Sequence, residues 1–280
     1  MRRGRELGIA LLGRKKLADV RQILWLDVTI TIPVRPGQIL HLEHLTSDVP
    51  SFKLIVGLED KVRFRSVRLH SGDAPVTVNS LTATDVDIKT SNFPIKGVLT
   101  AKKSAKLVTE NSPIEVDITT NGGEFHDPSM IVLDTANNHL DAVVRLESFE
   151  PRGLNVQATT SNGPMNVTIP YAAWGSHLSY KGSTSNADAT IELPSTFAGT
   201  INLEGSKFSS LVSGYTDDPT GRGYKSKMKS PRLNLYQVWY KSEEELDLSR
   251  VELRTQNGAA QGLILGADSS WRPQKDRALP

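Results

Sequence analysis

The chain has 280 residues, a net charge of +2, 38% hydrophobic and 23% charged residues, and no cysteine. That length and balance fit a folded protein with a sizeable core, the near-neutral charge gives the whole molecule no electrostatic claim on nucleic acid, and the missing thiols exclude disulfides, thiolate metal sites and cysteine nucleophiles. Aromatic residues are only 6%, while β-branched residues abound, which favours strands. No stretch reaches the roughly 20 apolar residues that a membrane-spanning helix requires.

In chain order, residues 1–22 carry Arg2, Arg3, Arg5, Arg14, Lys15, Lys16 and Arg21 against Glu6 and Asp19. This reads as a disordered basic arm rather than an amphipathic targeting segment or a membrane-surface contact. The apolar run Leu7–Leu12 is short, Gly8 interrupts it, and no clean small-x-small cleavage site follows, so no compartment is assigned. A strand is predicted where Leu26, Val28, Ile30 and Ile32 alternate with Asp27, Thr29 and Thr31, ending at Pro33. Further strands are predicted at 38–42, 52–56 and 62–69.

From residue 71 one short motif keeps returning: Ser71-Gly72-Asp73-Ala74-Pro75-Val76, Ser91-Asn92-Phe93-Pro94-Ile95, Asn111-Ser112-Pro113-Ile114 and Ser161-Asn162-Gly163-Pro164-Met165. Looser echoes are Asn138-His139-Leu140-Asp141, Ser185-Asn186-Ala187-Asp188-Ala189 and Gln256-Asn257-Gly258-Ala259-Ala260. Asn or Gly lets the chain turn sharply, Pro starts the next strand, and the following Ile, Val or Met begins an inward-facing alternation such as Ile114, Val116, Ile118. One such coil cannot bury its own apolar face, so stacking is required. The fold class predicted is therefore an all-β, repeat-built β-solenoid over residues 23–265. Residues 204–232, rich in Ser, Gly, Lys and Asp, read as an inserted loop; 241–248 could form one helical turn; and 266–280 reads as a polar tail.

The repeated corners, with Trp25-Leu26-Asp27-Val28-Thr29-Ile30 near the start and Val251-Glu252-Leu253-Arg254-Thr255-Gln256-Asn257-Gly258 near the end, resemble the adhesin-like β-coil domains of bacteria and fungi, the fungal type most closely. The resemblance implies stacked β-coils and a mostly unknown function, with no catalytic residues to carry over.

Chemistry-bearing residues are sparse. His126-Asp127, and Asp134 with His139 and Asp141, are candidates for an acid–base or metal cluster, but their spacing matches no zinc pattern and solvated turns are the default. Asp85, Asp87, Asp117 and Asp141 would, if their registers coincided, stack about 4.8 Å apart and could bind Ca²⁺ or serve as a glycosidic acid/base pair. Otherwise they are the outward polar half of each strand. No nucleophile elbow, Walker loop or dinucleotide fingerprint occurs, and no cofactor is called for. The one dense basic stretch beyond the start, Arg222, Lys225, Lys227, Lys229 and Arg232, is the candidate binding site for a glycan or an anionic surface. Trp174, Trp239, Trp271, Tyr171, Tyr180, Tyr236 and Tyr240 read as caps on the core or as sugar-stacking platforms. Asn166-Val167-Thr168 is the single glycosylation sequon. The reading that follows is a non-enzymatic structural or interaction module, with a carbohydrate-active enzyme using stacked carboxylates, or an anionic-surface binder, as alternatives.

Overall fold

The alternation in residues 114–120 translates directly into structure: Ile114, Val116, Ile118 and Thr120 are buried, and the residues between them half-exposed. The computed structural model describes residues 28–58, 61–206, 210–213, 225–230, 235–240 and 249–265, with backbone alone for the three segments between 210 and 240. The basic arm 1–22, the stretch 241–248 and the tail 266–280 lie outside the described residues. The chain divides into two units, 1–33 and 34–280. Of the first, Val28–Ile32 form no strand and Val28 and Ile30 are exposed, so the strand predicted across 26–32 is absent from its described part. The alternation is there, but strand assignment requires a ladder partner.

The second unit is an all-β solenoid, with no helix among the described residues. Each coil contributes two strands joined by the recurrent corner: β1 (Leu40–Asp48) with β2 (Leu54–Gly57), then β3 (Val62–His70) with β4 (Val76–Ser80). β5 (Thr82–Lys89) is followed by the first half of β6 (Ile95–Thr109), whose second half leads to β7 (Ile114–Thr120). β8 (Ser129–Thr135) with β9 (Leu140–Leu146), β10 (Gly153–Thr160) with β11 (Met165–Thr168), and β12 (His177–Thr184) with β13 (Ala189–Leu193) continue the stack. Two parallel ladders result. One runs β1–β3–β5–β6–β8–β10–β12, the other β2–β4–β6–β7–β9–β11–β13.

Beyond β13 the order of rungs departs from the order of the chain. β14 (Gly199–Glu204) and β15 (Ser210–Ser213) do not stack on β12 and β13. The last coil, β18 (Arg250–Thr255) with β19 (Ala260–Ile264), lies between, pairing with β12 and β13 on one side and β14 and β15 on the other. An antiparallel hairpin of β16 (Lys225–Ser230) and β17 (Leu235–Tyr240) covers the far side of β14. Part of the segment read as a loop over 204–232 is therefore strand: its Ser- and Lys-rich composition hid short edge strands, which favour charged residues.

Two side-chain files run along successive corners of the stack. Outside, Asn92 donates to Asp73, Asn111 to Asn92, Asn137 to Asn111, Asn162 to Asn137, Asn186 to Asn162 and Asn257 to Asn186, at 2.6–2.9 Å. Inside, Thr109, Thr135, Thr160, Thr184 and Thr255 are buried, and each hydroxyl donates to a corner carbonyl of the preceding rung: Ser91, Ser112, Asn138, Gly163 and Ala187 respectively. The turn is thus satisfied from both sides without interrupting the apolar interior, as buried polar groups require. Gly163 and Gly258 occupy equivalent corner positions because a Cβ there would fall 2.1 and 2.0 Å from the carbonyl oxygen of the rung below. The interior itself is built of in-register files such as Val76, Ile95, Ile114, Leu140, Met165, Ala189 and Ala260.

The asparagine file also explains the change in repeat length. Successive steps are 19, 19, 26, 25 and 24 residues. The short coils return almost without a loop, through Leu81 alone or through the continuous β6. The long ones spend their extra residues in the return segments 121–128, 147–152 and 169–176, away from the corners.

Candidate functional site

Four residues beyond each Asp or Asn of the corner file lies an outward side chain, and these form a row: Thr77, Lys96, Glu115, Asp141, Asn166, Thr190 and Gln261. Its middle is charged. Lys96 Nζ lies 2.8 Å from Glu115 Oε2, and Asn166 Nδ2 donates to Asp141 Oδ1 at 2.8 Å. Glu115 and Asp141 occupy neighbouring rungs at the same register. His139 stands between them, Nε2 3.2 Å from Glu115 and 3.9 Å from Asp141.

The position of His139 follows from the repeat. Pro75, Pro94, Pro113 and Pro164 hold the equivalent place in other coils, each two residues beyond the Asp or Asn of the corner file. The backbone still behaves like its proline counterparts, since the His139 carbonyl accepts from Ile114 N at 3.2 Å, as that of Pro113 accepts from Ile95. Its amide, which a proline would lack, is satisfied by its neighbour Asn138 Oδ1 at 2.9 Å. The substitution therefore leaves the stack intact and adds an imidazole above the carboxylates.

Two shallow hollows adjoin this group. One, about 470 Å³, is lined by Asn137, His139, Asp141, Asn162, Pro164 and Asn166 among others. The second, about 340 Å³, is lined by Glu115, Asp141, Asn166 and Thr168 with the β-strand surface beneath. Asp141 and Asn166 belong to both, so the hollows adjoin along the row. Beside them Asp117 is clamped by Arg145 through three hydrogen bonds of 2.8–3.1 Å, a bidentate pair that also raises the guanidinium above its ordinary value.

The Glu115 carboxyl is held below its ordinary value, chiefly by the hydrogen bond from Lys96 and further by that from His139, against partial desolvation. A carboxyl depressed in the folded state stabilises the fold above its unfolded pKa, about 4.5, and that contribution disappears as pH falls through the lower folded value. Lys96→Met is accordingly expected to flatten the acid limb of a denaturation-midpoint-against-pH curve below about pH 5. An unchanged limb shows that the pair is inert in stability.

The other carboxylates singled out above do not form a stack. Asp85 accepts from Ser104 at 2.6 Å, and Asp87 meets Arg68 and His70 at 3.5 Å, both on the first ladder. Asp117 lies opposite Val98 and Val143, so only Asp141 has a carboxylate on the adjacent rung. Asp134 is on β8, in the other ladder from His139 and Asp141, and the three do not converge. His126 pairs with Glu124 at 3.2 Å and Asp127 with Lys103 at 2.9 Å, in an exposed return segment. No cluster of three or more His, Asp or Glu suited to a metal occurs among the described residues.

Of the basic stretch, Lys225, Lys227 and Lys229 lie on β16, whose pairing is shifted twice along its length, while Arg222 and Arg232 lie outside the described residues. Tyr180 is no sugar platform: it is fully buried in the interior file, where its ring fills the space left by Gly182, and burial raises its phenol well above the ordinary value. Trp239, Tyr236 and Tyr240 belong to β17, and Trp271 lies outside the described residues. Among the described residues, exposed Phe125 stacks on His177, centroids 3.9 Å apart. The sequon residue Asn166 is in the charged row itself.

No described helix is long and apolar enough to cross a membrane. Comparison with family models, with curated proteins and with solved structures found no match to this chain.

Proposed function

We propose that this chain is a non-enzymatic interaction module of adhesin-like type, in which the coil stack is scaffold and the row Lys96, Glu115, Asp141 and Asn166, with His139, is the contact surface for a polyhydroxylated chain of glycan type. The observation that carries this reading is His139 in a proline position of the repeat, bridging two carboxylates beside adjoining hollows. Rungs about 4.8 Å apart repeat donors and acceptors at a near-constant step along a rigid ladder, which suits an extended ligand carrying hydroxyls at intervals.

Binding is favoured over glycoside cleavage by protonation. A cleaving pair requires one carboxylic acid held protonated near neutral pH. Glu115 is pulled the opposite way by Lys96 and is ionised. Glu115 therefore serves as an acceptor for ligand hydroxyls rather than as a proton donor.

A glycan array probed with the full chain tests this. Retention of at least one oligosaccharide class is expected, with affinity falling about tenfold or more in Glu115→Gln/Asp141→Asn, because charge-assisted hydrogen bonds are worth about 1.5–3 kcal/mol each. Equal retention by both proteins, or none by either, overturns the reading.

A further inference from the structure

The rung formed by residues 249–265 is the last of the described rungs in chain order and not the last in the stack. β18 is flanked by β12 and β14, β19 by β13 and β15. Every corner device continues through it. Asn257 donates to Asn186, Thr255 to the Ala187 carbonyl, and Ala259 N to Asp188 Oδ1. Ser249 Oγ takes the Leu178 amide and donates to the Ser176 carbonyl, and the Ser249 carbonyl accepts from Thr200 N. Val251, Leu253, Ala260 and Ile264 are buried. The coil behaves as a cassette whose two edges are both satisfied by the slot it occupies.

The slot itself is defined by chain segments that precede the cassette. β12 and β14 are consecutive strands of one ladder in chain order, separated in space by a rung that the chain supplies some 50 residues later. Were β14 to close directly onto β12, Ile201 would meet Tyr180 and Leu203 would meet Gly182, since each pair shares a partner in β18. The inward and outward alternation would be kept. Direct closure of β14 onto β12 would thus be in register, as the insertion of the cassette is, and the pattern that fixes register does not by itself choose between them. An element with two satisfied edges, a self-complementary acceptor and its own tether is the form in which copies of a chain exchange parts. The ten-residue step from Tyr240 to Arg250 can span at most about 33–36 Å, at 3.3–3.6 Å per residue.

We infer that residues 249–265 are an exchangeable rung, and that the slot between β12–β13 and β14–β15 accepts this coil from a second copy of the chain. Copies joined this way use only contacts already present in the monomer. Lys96, Glu115, His139, Asp141 and Asn166 all lie on earlier rungs and take no part.

The absence of cysteine makes a direct test available. Ser183 and Arg254 are register partners across β12 and β18, and their outward positions suit a cross-linked pair, because neighbouring strands lie within disulfide range. Full-length Ser183→Cys/Arg254→Cys is prepared in heavy- and light-isotope forms, mixed under reducing conditions at high and low concentration, then diluted and oxidised. Linked 183–254 peptides are read by mass spectrometry. The expected result is a heavy–light fraction at least about tenfold larger after concentrated pre-incubation than after dilute, as mass action requires. Linkage confined to one isotope at both concentrations overturns the inference. The pair Lys181→Cys/Glu252→Cys, also in register, guards against a misfolded first variant. Failure of both pairs to link at all overturns it as well, since the cassette would then not occupy its slot.

Discussion

Gly97→Ala is expected to cost more than about 4 kcal/mol, the range in which a single change is diagnostic of one structural cause. Gly97 lies in β6, in register with Val78 below and Val116 above, at φ 137°, a conformation that side-chain-bearing residues rarely adopt. A Cβ there would stand 1.8 Å from the Val78 carbonyl oxygen, which is backbone and part of the ladder, and cannot rotate away. Both penalties arise where β6 passes from one ladder to the other within a single 15-residue strand. Gly37 separates the two terms. It also has positive φ, 74°, but nothing lies within 4 Å of its would-be Cβ. Gly37→Ala is therefore expected to show the dihedral cost alone, about 1 kcal/mol. Chemical denaturation of both variants decides the matter: similar midpoints would show that the close approach at Gly97 relaxes.

The corners were legible in the sequence because their chemistry is local. Asn92, Asn111, Asn162 and Asn257, with the following Pro or Gly and the apolar residue after it, specify a bend wherever they occur, and all fall at the same place in the stack. The buried threonines could be seen only as β-rich composition, since their role depends on a carbonyl one rung away. Glu115 was missed for a similar reason. It belongs with Asp141 by phase, each four residues beyond a corner asparagine, and a search by residue type lists Asp117 instead, two residues further and facing Arg145. The exchange of rung order was not legible at all. Asn257 follows Asn186 in the file as Asn186 follows Asn162, and nothing in the intervening 71 residues states which rung is which. That information resides in the pairing of β14 with β18, a long-range contact with no local sequence pattern.

Whether the polar files or the interior hold the stack together is decided by a second pair of variants. Ile114 is fully buried between Ile95 and Leu140 in register, and Ile114→Ala is expected to cost about 2–5 kcal/mol through lost burial and the cavity left behind. Asn111→Ala removes the bonds to Asn92 and from Asn137, but these are exposed and their net worth is only about 0.5–1.5 kcal/mol each, with water replacing them. The interior change should therefore exceed the corner change, although both lie on the same coil three residues apart. The pattern of loss matters more than its size. A stack of coils is stabilised by its own units and nearest-neighbour interfaces, so damage stays local. Amide exchange in Ile114→Ala should accelerate in β6, β7 and β9 and remain unchanged in β18 and β19, several rungs away. Uniform acceleration throughout the solenoid would mean that the rungs unfold as one body, and that the exchange of a single rung between copies has a far higher barrier than the ladder's modular construction implies.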